Sequence, residues 1–330
     1  MIRTRVIGTG SYLPSRVVPN EEIAQVVGVS PAHIQRLTGI RSRHWAGEQE
    51  AASDLAIAAG RRALEAAGCE ASAIDAIVLS TTSPDMAFPS TACLVQRGLG
   101  CKPVGAFDVS ASCSGFLYGL SMAQAMIHSG QAKTCLVVAA EVKSRALDLQ
   151  DPATALLFGD GAGAVILRGE HDSTPEWRGI LGIRLYADGA SHGLIRIPSG
   201  GSRSPVSADT VKKREHMLHM QGSPLFRVAI RRVEQAVHEI LKEFGVQSGD
   251  LKQVVLHQAN GRILDQIADR LEIERSRVAS VIERYGNTSS ASLPIALDDA
   301  VRHGRISPGD LVLLGSFGGG LTWATSLVRW

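Results

Sequence analysis

Residues 54–82 read DLAIAAGRRALEAAGCEASAIDAIVLSTT. Apolar residues recur at helical spacing from Leu55 to Ala67, Gly68 supplies a stop, and a short connection leads to the β-branched run AIVLSTT. The spacing predicts a helix over 54–67 and a strand-like run over 76–82. The same plan returns in FRVAIRRVEQAVHEILKEF (226–244), an amphipathic helix stopped by Gly245 and followed by QVVLHQ from Gln253. Gly68 and Gly245 stand 177 residues apart, and the same offset carries Val78 and Leu79 onto Val255 and Leu256, and Leu136 and Val137 onto Leu313 and Leu314.

Three elements in one register, with looser matching between them, read as an old duplication and not as a tandem array. Each half also ends in a glycine-rich turn that runs into a β-like stretch, FGDGAGAVILR from Phe158 and FGGGLTWATSLVR from Phe317. The expected architecture is α/β, two pseudo-equivalent halves whose sheets are covered by helices on both sides. The polar, Gly/Ser/Pro-rich residues 199–210 are expected to join them.

A chain of 330 residues exceeds the usual single-domain size, which agrees with two halves. Apolar residues make up 45% and charged residues 20%, an ordinary globular composition, and a net charge of +2 gives no global argument for nucleic acid or an anionic membrane. The opening MIRTRVIGTGSYLP lacks the apolar stretch of about 7–15 residues of a signal peptide, and no later segment reaches the ~18 apolar residues of a membrane span. A cytoplasmic protein is expected.

The five cysteines, Cys69, Cys93, Cys101, Cys113 and Cys135, form no CxxC pair and no His/Cys cluster at metal-ligand spacing. Four are read as buried small apolar residues. Cys113 differs by context: residues 103–110 read as a strand and 114–128 as a helix, so its thiol sits where a helix dipole and free backbone N–H groups favour thiolate. The small neighbours Ser112, Ser114 and Gly115 suit a nucleophile on a tight strand-to-helix turn; the alternative is a buried structural thiol. His257 follows the strand VVL, where α/β folds place their sites, although a lone histidine is commonly a satisfied core residue. Asn287 lies in YGNTSSAS before an apolar helix and, taken singly, reads more readily as part of a helix-capping segment. SFGGG either permits a turn or exposes N–H groups to an oxyanion. GDGAGA precedes a β-branched run and lacks GK[ST], which excludes dinucleotide and P-loop readings.

Taken together and in order, SASCSGF, LHQAN, YGNTSSAS and FGGGLTW, with TGIRSRH, FPSTACLVQ and FGDGAGA, resemble β-ketoacyl-(acyl carrier protein) synthase III of the thiolase superfamily along the whole chain. The resemblance implies a thiolase-like five-layered αβαβα fold, with residues 1–172 carrying the nucleophile, residues 173–330 carrying His and Asn, and two chains forming a homodimer. It makes Cys113, His257 and Asn287 catalytic, the amides of Cys113 and Gly319 the oxyanion hole, and Phe88 a residue reaching into the partner's acyl pocket. Arg227, Arg262 and Arg270 match basic positions that dock the acidic acyl carrier protein, each also readable as a solvated helix charge. Asn260 and Gly222 fall on the tunnel for coenzyme A and pantetheine. The implied reaction transfers an acyl group from acyl-CoA to Cys113 and condenses it with malonyl carried by the carrier protein, with no metal, flavin or nicotinamide.

The absence of any cysteine after Cys135 separates the chain from degradative thiolases, and Asn287 separates it from two-histidine elongating synthases. One departure stands out. The positions that clamp the adenine of coenzyme A in acetyl-CoA-using members hold His33, Leu37 and Pro152, so stacking and guanidinium contacts are missing. An initiating synthase, a related acyltransferase of a specialised pathway with a non-acetyl primer, and a non-catalytic carrier-binding scaffold are the competing readings; the intact Cys113, His257 and Asn287 speak against the last.

Overall fold

The computed structural model describes residues 2–171 and 177–330. Five strands build the first sheet: β1 (Ile2–Tyr12), β2 (Ala76–Ser80), β3 (Gly105–Val109), β4 (Thr134–Glu141) and β5 (Gly161–His171), in the order β1-β5-β4-β2-β3. Four build the second: β6 (Gly179–Ala187), β7 (Gln253–Leu256), β8 (Leu311–Gly318) and β9 (Thr322–Arg329), in the order β6-β9-β8-β7. Both sheets run antiparallel, antiparallel, parallel from β1 and from β6, and β3 adds a further parallel strand to the first.

The strands are apolar on both faces because both faces are covered. Helices α1 (Ala52–Ala66) and α2 (Thr91–Leu99) pack Leu55, Ala59 and Val95 on Ile77, Leu79 and Val138. The opposite face, through Val78, Val137 and Val165, meets α3 (Gly115–His128) and, from late in the chain, the helix Ser292–Arg302. Those two central helices, with Phe116, Leu117, Leu120 and Leu293 at 0–1% exposure, also touch Val255 and Leu314 of the second sheet. Helices α4 (Gly222–Phe244) and α5 (Gly261–Arg270) close the far side with Ile230, Val233 and Ile267 on Val254 and Leu313; the central helix Ser292–Arg302 is α6. The layers are therefore αβαβα, the expected fold.

The offset of 177 runs deeper than the sequence motifs. It relates the first residues of β1 and β6, of β4 and β8, and of α3 and α6. It also relates Ser112 and Ser289, non-glycine residues with φ of 51° and 53° that each open a single 3₁₀ turn before a central helix. The register breaks after β4, because residues 142–160 connect β4 to β5 whereas residues 319–321 connect β8 to β9.

Two expectations are corrected. Residues 199–210 do not join the halves; they belong to an excursion between β6 and α4, pinned where Ile195–Arg196 pairs with His219–Met220 and where the Leu218 N–H donates to Ala146 O at 2.8 Å. Their polarity reflects exposure on that excursion. β5 ends at His171 and β6 begins at Gly179, and the expected boundary between residues 172 and 173 lies outside the described residues. Cys93 is exposed because α2 turns Thr91, Ala92 and Val95 inward and leaves it on the outer face, and Cys69, just past the end of α1, is half-buried.

Helix α1 lies against β1 so closely that a Cβ on Gly10 would stand 2.4 Å from Ala63 N and 2.5 Å from Ala59 O. Gly10→Val is expected to destabilise the fold by about 1–3 kcal/mol in urea denaturation, as overpacked cores do, whereas Gly105→Ala, which meets nothing within 4 Å, leaves the midpoint nearly unchanged.

Candidate active site

Cys113 occupies the 3₁₀ turn Ser112–Ser114 between β3 and α3, as the strand-to-helix reading placed it. The turn is stitched to the β8–β9 connection. Gly319 N–H donates to Ser112 Oγ at 3.0 Å, Ser114 Oγ–H donates to Thr322 O at 3.0 Å, and Thr322 Oγ1–H donates to Ala111 O at 2.8 Å. A Cβ on Gly318 would stand 2.5 Å from Cys113 N, so only glycine lets the second half come this near the thiol.

His257 follows β7, its N–H donating to Gly315 O at 2.8 Å, and its Nδ1 meets Ser292 Oγ at 2.5 Å. The Ser292 hydroxyl accepts the Gln258 N–H at 3.0 Å, and among the described residues its one proton has no acceptor other than Nδ1, which leaves the ring's own proton on Nε2. Asn287 is no helix cap: α6 begins five residues later behind Ala291. Its backbone is clamped to the 142–160 connection, with Asn287 N–H donating to Leu157 O at 2.9 Å and Gly159 N–H to Asn287 O at 3.0 Å. The side-chain Oδ1 accepts the Ser289 N–H at 2.9 Å, leaving Nδ2 with a long 3.4 Å bond to Ala259 O.

Cys113, His257, Asn287 and Gly319 line one cavity of about 470 Å³, whose walls are mostly apolar, with Leu156, Phe158, Ile195 and Leu256 among them. Gly222, Asn260, Arg227, Arg262, Leu37 and Pro152 line it too. Asn260 is already engaged, accepting from Arg262 N–H at 2.9 Å as the cap of α5 and donating to Leu37 O at 3.1 Å. Arg262 lies over the Phe226 ring, 5.9 Å from its centre. Arg270 sits apart, on an adjoining surface hollow with Arg227, and pairs with Glu234 at 2.7 Å. His33 lies outside the cavity and is bonded to Arg36 through Nδ1 at 2.9 Å. Phe88 does not line it and is 87% exposed.

Burial governs the charge states. It pushes the Cys113 thiol up from its ordinary value, with the Glu141 charge adding to the rise and bonds from Ser289 and Ser112 and the charge of Lys143 opposing it. Burial thus opposes the thiolate that the helix terminus favours. Burial likewise lowers His257 to about 4, so the imidazole is neutral. A neutral thiol, a neutral N–H donor and an amide form a site suited to stabilising negative charge that appears only during reaction.

Four residues that sequence reasoning passed over surround this set: Glu141, Lys143, Ser289 and Ser292. Glu141 ends an otherwise apolar strand, TCLVVAAE, and is completely buried, a signal visible in the sequence. The serines lie in the same hydroxyl-rich run as Asn287 and carried no separate signal. Among the described residues no group of three or more His, Cys, Asp or Glu side chains is placed to hold a metal ion, and no helix is long and apolar enough to cross a membrane.

A buried neutral histidine stabilises the fold above its unfolded value near 6.5 and loses that contribution as pH falls toward 4. His257→Gln is therefore expected to flatten the fall in urea stability between pH 6.5 and 4 by about 3 kcal/mol. Gly318→Ala, by shifting Cys113, is expected to change the rate at which iodoacetamide alkylates that thiol several-fold while circular dichroism stays native.

Two family models match the chain: 3-oxoacyl-[acyl-carrier-protein (ACP)] synthase III over residues 107–189, and its C-terminal counterpart over residues 241–330. A β-ketoacyl-[acyl-carrier-protein] synthase III of Rhodospirillum rubrum is 49% identical with both chains covered in full, and one of Xanthomonas campestris is 46% identical, covering 100% of this chain and 99% of its own. Among solved structures, the 3-oxoacyl-[acyl-carrier-protein] synthase III of Aquifex aeolicus superposes with a TM-score of 0.90 at 41% identity, covering 99% of this chain and 100% of its own. Full-length similarity, the layered fold and the four convergent motifs agree: the chain belongs to the β-ketoacyl-(acyl carrier protein) synthase III family of the thiolase superfamily.

Proposed function

We propose that this protein is a β-ketoacyl-(acyl carrier protein) synthase III that starts fatty acid synthesis, with Cys113 as nucleophile and His257 and Asn287 as its partners. The observation that carries the reading is the single apolar cavity that brings Cys113, His257 and Asn287 together from three separate segments. An acyl thioester of coenzyme A enters, the Cys113 sulfur attacks its carbonyl, the donor's C–S bond breaks, and the Cys113 proton ends on the departing thiol. Gly319 N–H exchanges its bond to Ser112 Oγ for the oxyanion and, with the Cys113 amide, carries that charge.

Malonyl on the carrier protein then loses carbon dioxide. The enolate oxygen is held by His257 Nε2–H and Asn287 Nδ2–H, whose one bond among the described residues is the long one to Ala259 O. The enolate carbon attacks the acyl-enzyme carbonyl, the Cys113–acyl bond breaks, and the sulfur recovers a proton from solvent. No resident cofactor takes part. Arg227 and Arg262 stand at the cavity wall with no ion pair among the described residues, which favours them over Arg270 for receiving the carrier protein's acidic surface. The exposed Phe88 supports a homodimer in which it is covered. A cytoplasmic location fits these substrates.

The apolar residues Leu37, Pro152 and Ala153 on the cavity wall favour a second reading, a non-acetyl primer or a donor other than coenzyme A. Intact-protein mass spectrometry with a panel of acyl-CoAs and acyl-carrier proteins separates the two. An acetyl adduct from acetyl-CoA on the native chain and none on Cys113→Ala supports the initiating enzyme; adducts from longer or carrier-borne donors alone support the second, and no adduct from any donor overturns both. Arg227→Ala with Arg262→Ala is expected to raise KM for malonyl-carrier protein roughly tenfold in a salt-dependent manner, with kcat within about twofold.

A further inference from the structure

Behind the sulfur lies a buried ion pair that the proposed reaction does not use. Glu141 and Lys143 are 0% and 5% exposed, and Lys143 Nζ stands 3.1 Å from Glu141 Oε2. Ser83 Oγ–H (2.7 Å), Ser290 Oγ–H (2.8 Å) and Thr82 N–H (3.2 Å) also donate to this carboxylate, and Lys143 Nζ donates to Thr82 Oγ1. Burial by itself would raise Glu141, but Lys143 and these donors hold it below the usual carboxylate range, so it is ionised and accepts only.

One further donor ties the pair to the nucleophile. Ser289 Oγ–H donates to Glu141 Oε1 at 3.1 Å, and the same oxygen lies 3.6 Å from Cys113 Sγ. With its single proton turned to the carboxylate, the hydroxyl offers the sulfur a lone pair, which suits S–H and not S⁻. We infer that Glu141, acting through the Ser289 hydroxyl, holds Cys113 as a thiol in the resting site, and that this hydroxyl turns its proton to the sulfur when the thiol proton leaves.

Glu141 can release that proton because its other donors remain. Glu141 and Ser289 are thus positioning residues: Glu141 opposes the thiolate both by its charge and by claiming the hydroxyl proton that a thiolate would take. The charges acting on the sulfur are those of Glu141, at the end of β4, and Lys143, two residues beyond it; neutral His257, just after β7, lines the same cavity. Residues 286–291, residues 318–321 and the 3₁₀ turn itself contribute no charge.

The inference rests on Cys113 as the acylated residue, but alkylation by iodoacetamide reads the sulfur directly, so a failure of acyl transfer would appear in the adduct experiment and not here. The rate would be followed against pH by the mass of the Cys113 peptide, since exposed Cys93 also reacts. Glu141→Gln is expected to lower the midpoint by about one pH unit, a roughly tenfold faster reaction below both midpoints. Ser289→Gly, which suits the φ of 53° and removes only the hydroxyl, is expected to raise it. In the double variant the two shifts are expected to be non-additive. Glu141→Gln with Lys143→Met, which removes both charges, guards against misfolding from an unpaired buried lysine and is expected to place the midpoint nearer the native one than Glu141→Gln does. A midpoint unmoved or raised in Glu141→Gln, unmoved in Ser289→Gly, or shifted additively in the double variant would overturn the inference.

Discussion

The close approach of Gly318 to the Cys113 backbone is the constraint on which the site depends. It fixes the separation of the two sheets at the point where the halves exchange three hydrogen bonds, Gly319 to Ser112, Ser114 to Thr322 and Thr322 to Ala111. The central helices α3 and α6 set how far apart the sheets stand, and Leu117, Leu120, Leu293 and Ile295 leave no space between them. A thiol from one half and a histidine and an amide from the other can therefore share one cavity, since a packed core resists gradual deformation.

Much of this was legible in the sequence. The helix-then-strand pattern at 54–82 and its return at 226–258 gave the α/β class and the duplication, because continuous apolar strands flanked by amphipathic helices have few ways to bury themselves. The positions of Cys113 and His257 followed from element boundaries alone. Asn287 did not. Its surroundings resemble a helix start, and what distinguishes it is a backbone bridge to Phe158, a contact between residues far apart in the chain. The hydroxyls of Ser289 and Ser292 were illegible for the same reason. Residues 199–210 were misplaced because polarity marks exposure and does not distinguish a linker from an excursion.

The break in the internal register explains why the site is lopsided. Residues 142–160 have no long counterpart after β8, and they bring Pro152, Leu156 and Phe158 to the cavity wall while clamping Asn287. The excursion after β6 leans on the same connection through Leu218 and Ala146. Two segments outside the duplicated frame thus supply much of the cavity wall, which is where a substrate's size and polarity are felt.

The internal two-fold relation places a second turn of the same shape opposite the first. Displaced by 177 residues, Cys113 falls on Ser290, Ser112 on Ser289, and Gly318 coincides with Glu141. At one pole glycine leaves room and a thiol lines a cavity; at the other a carboxylate fills that room and bonds the serine standing where the thiol would be. The protein can be seen as carrying two casts of one catalytic mould, the second filled solid, so that a vacancy in one half and an ion pair in the other are the two outcomes of a single repeated position.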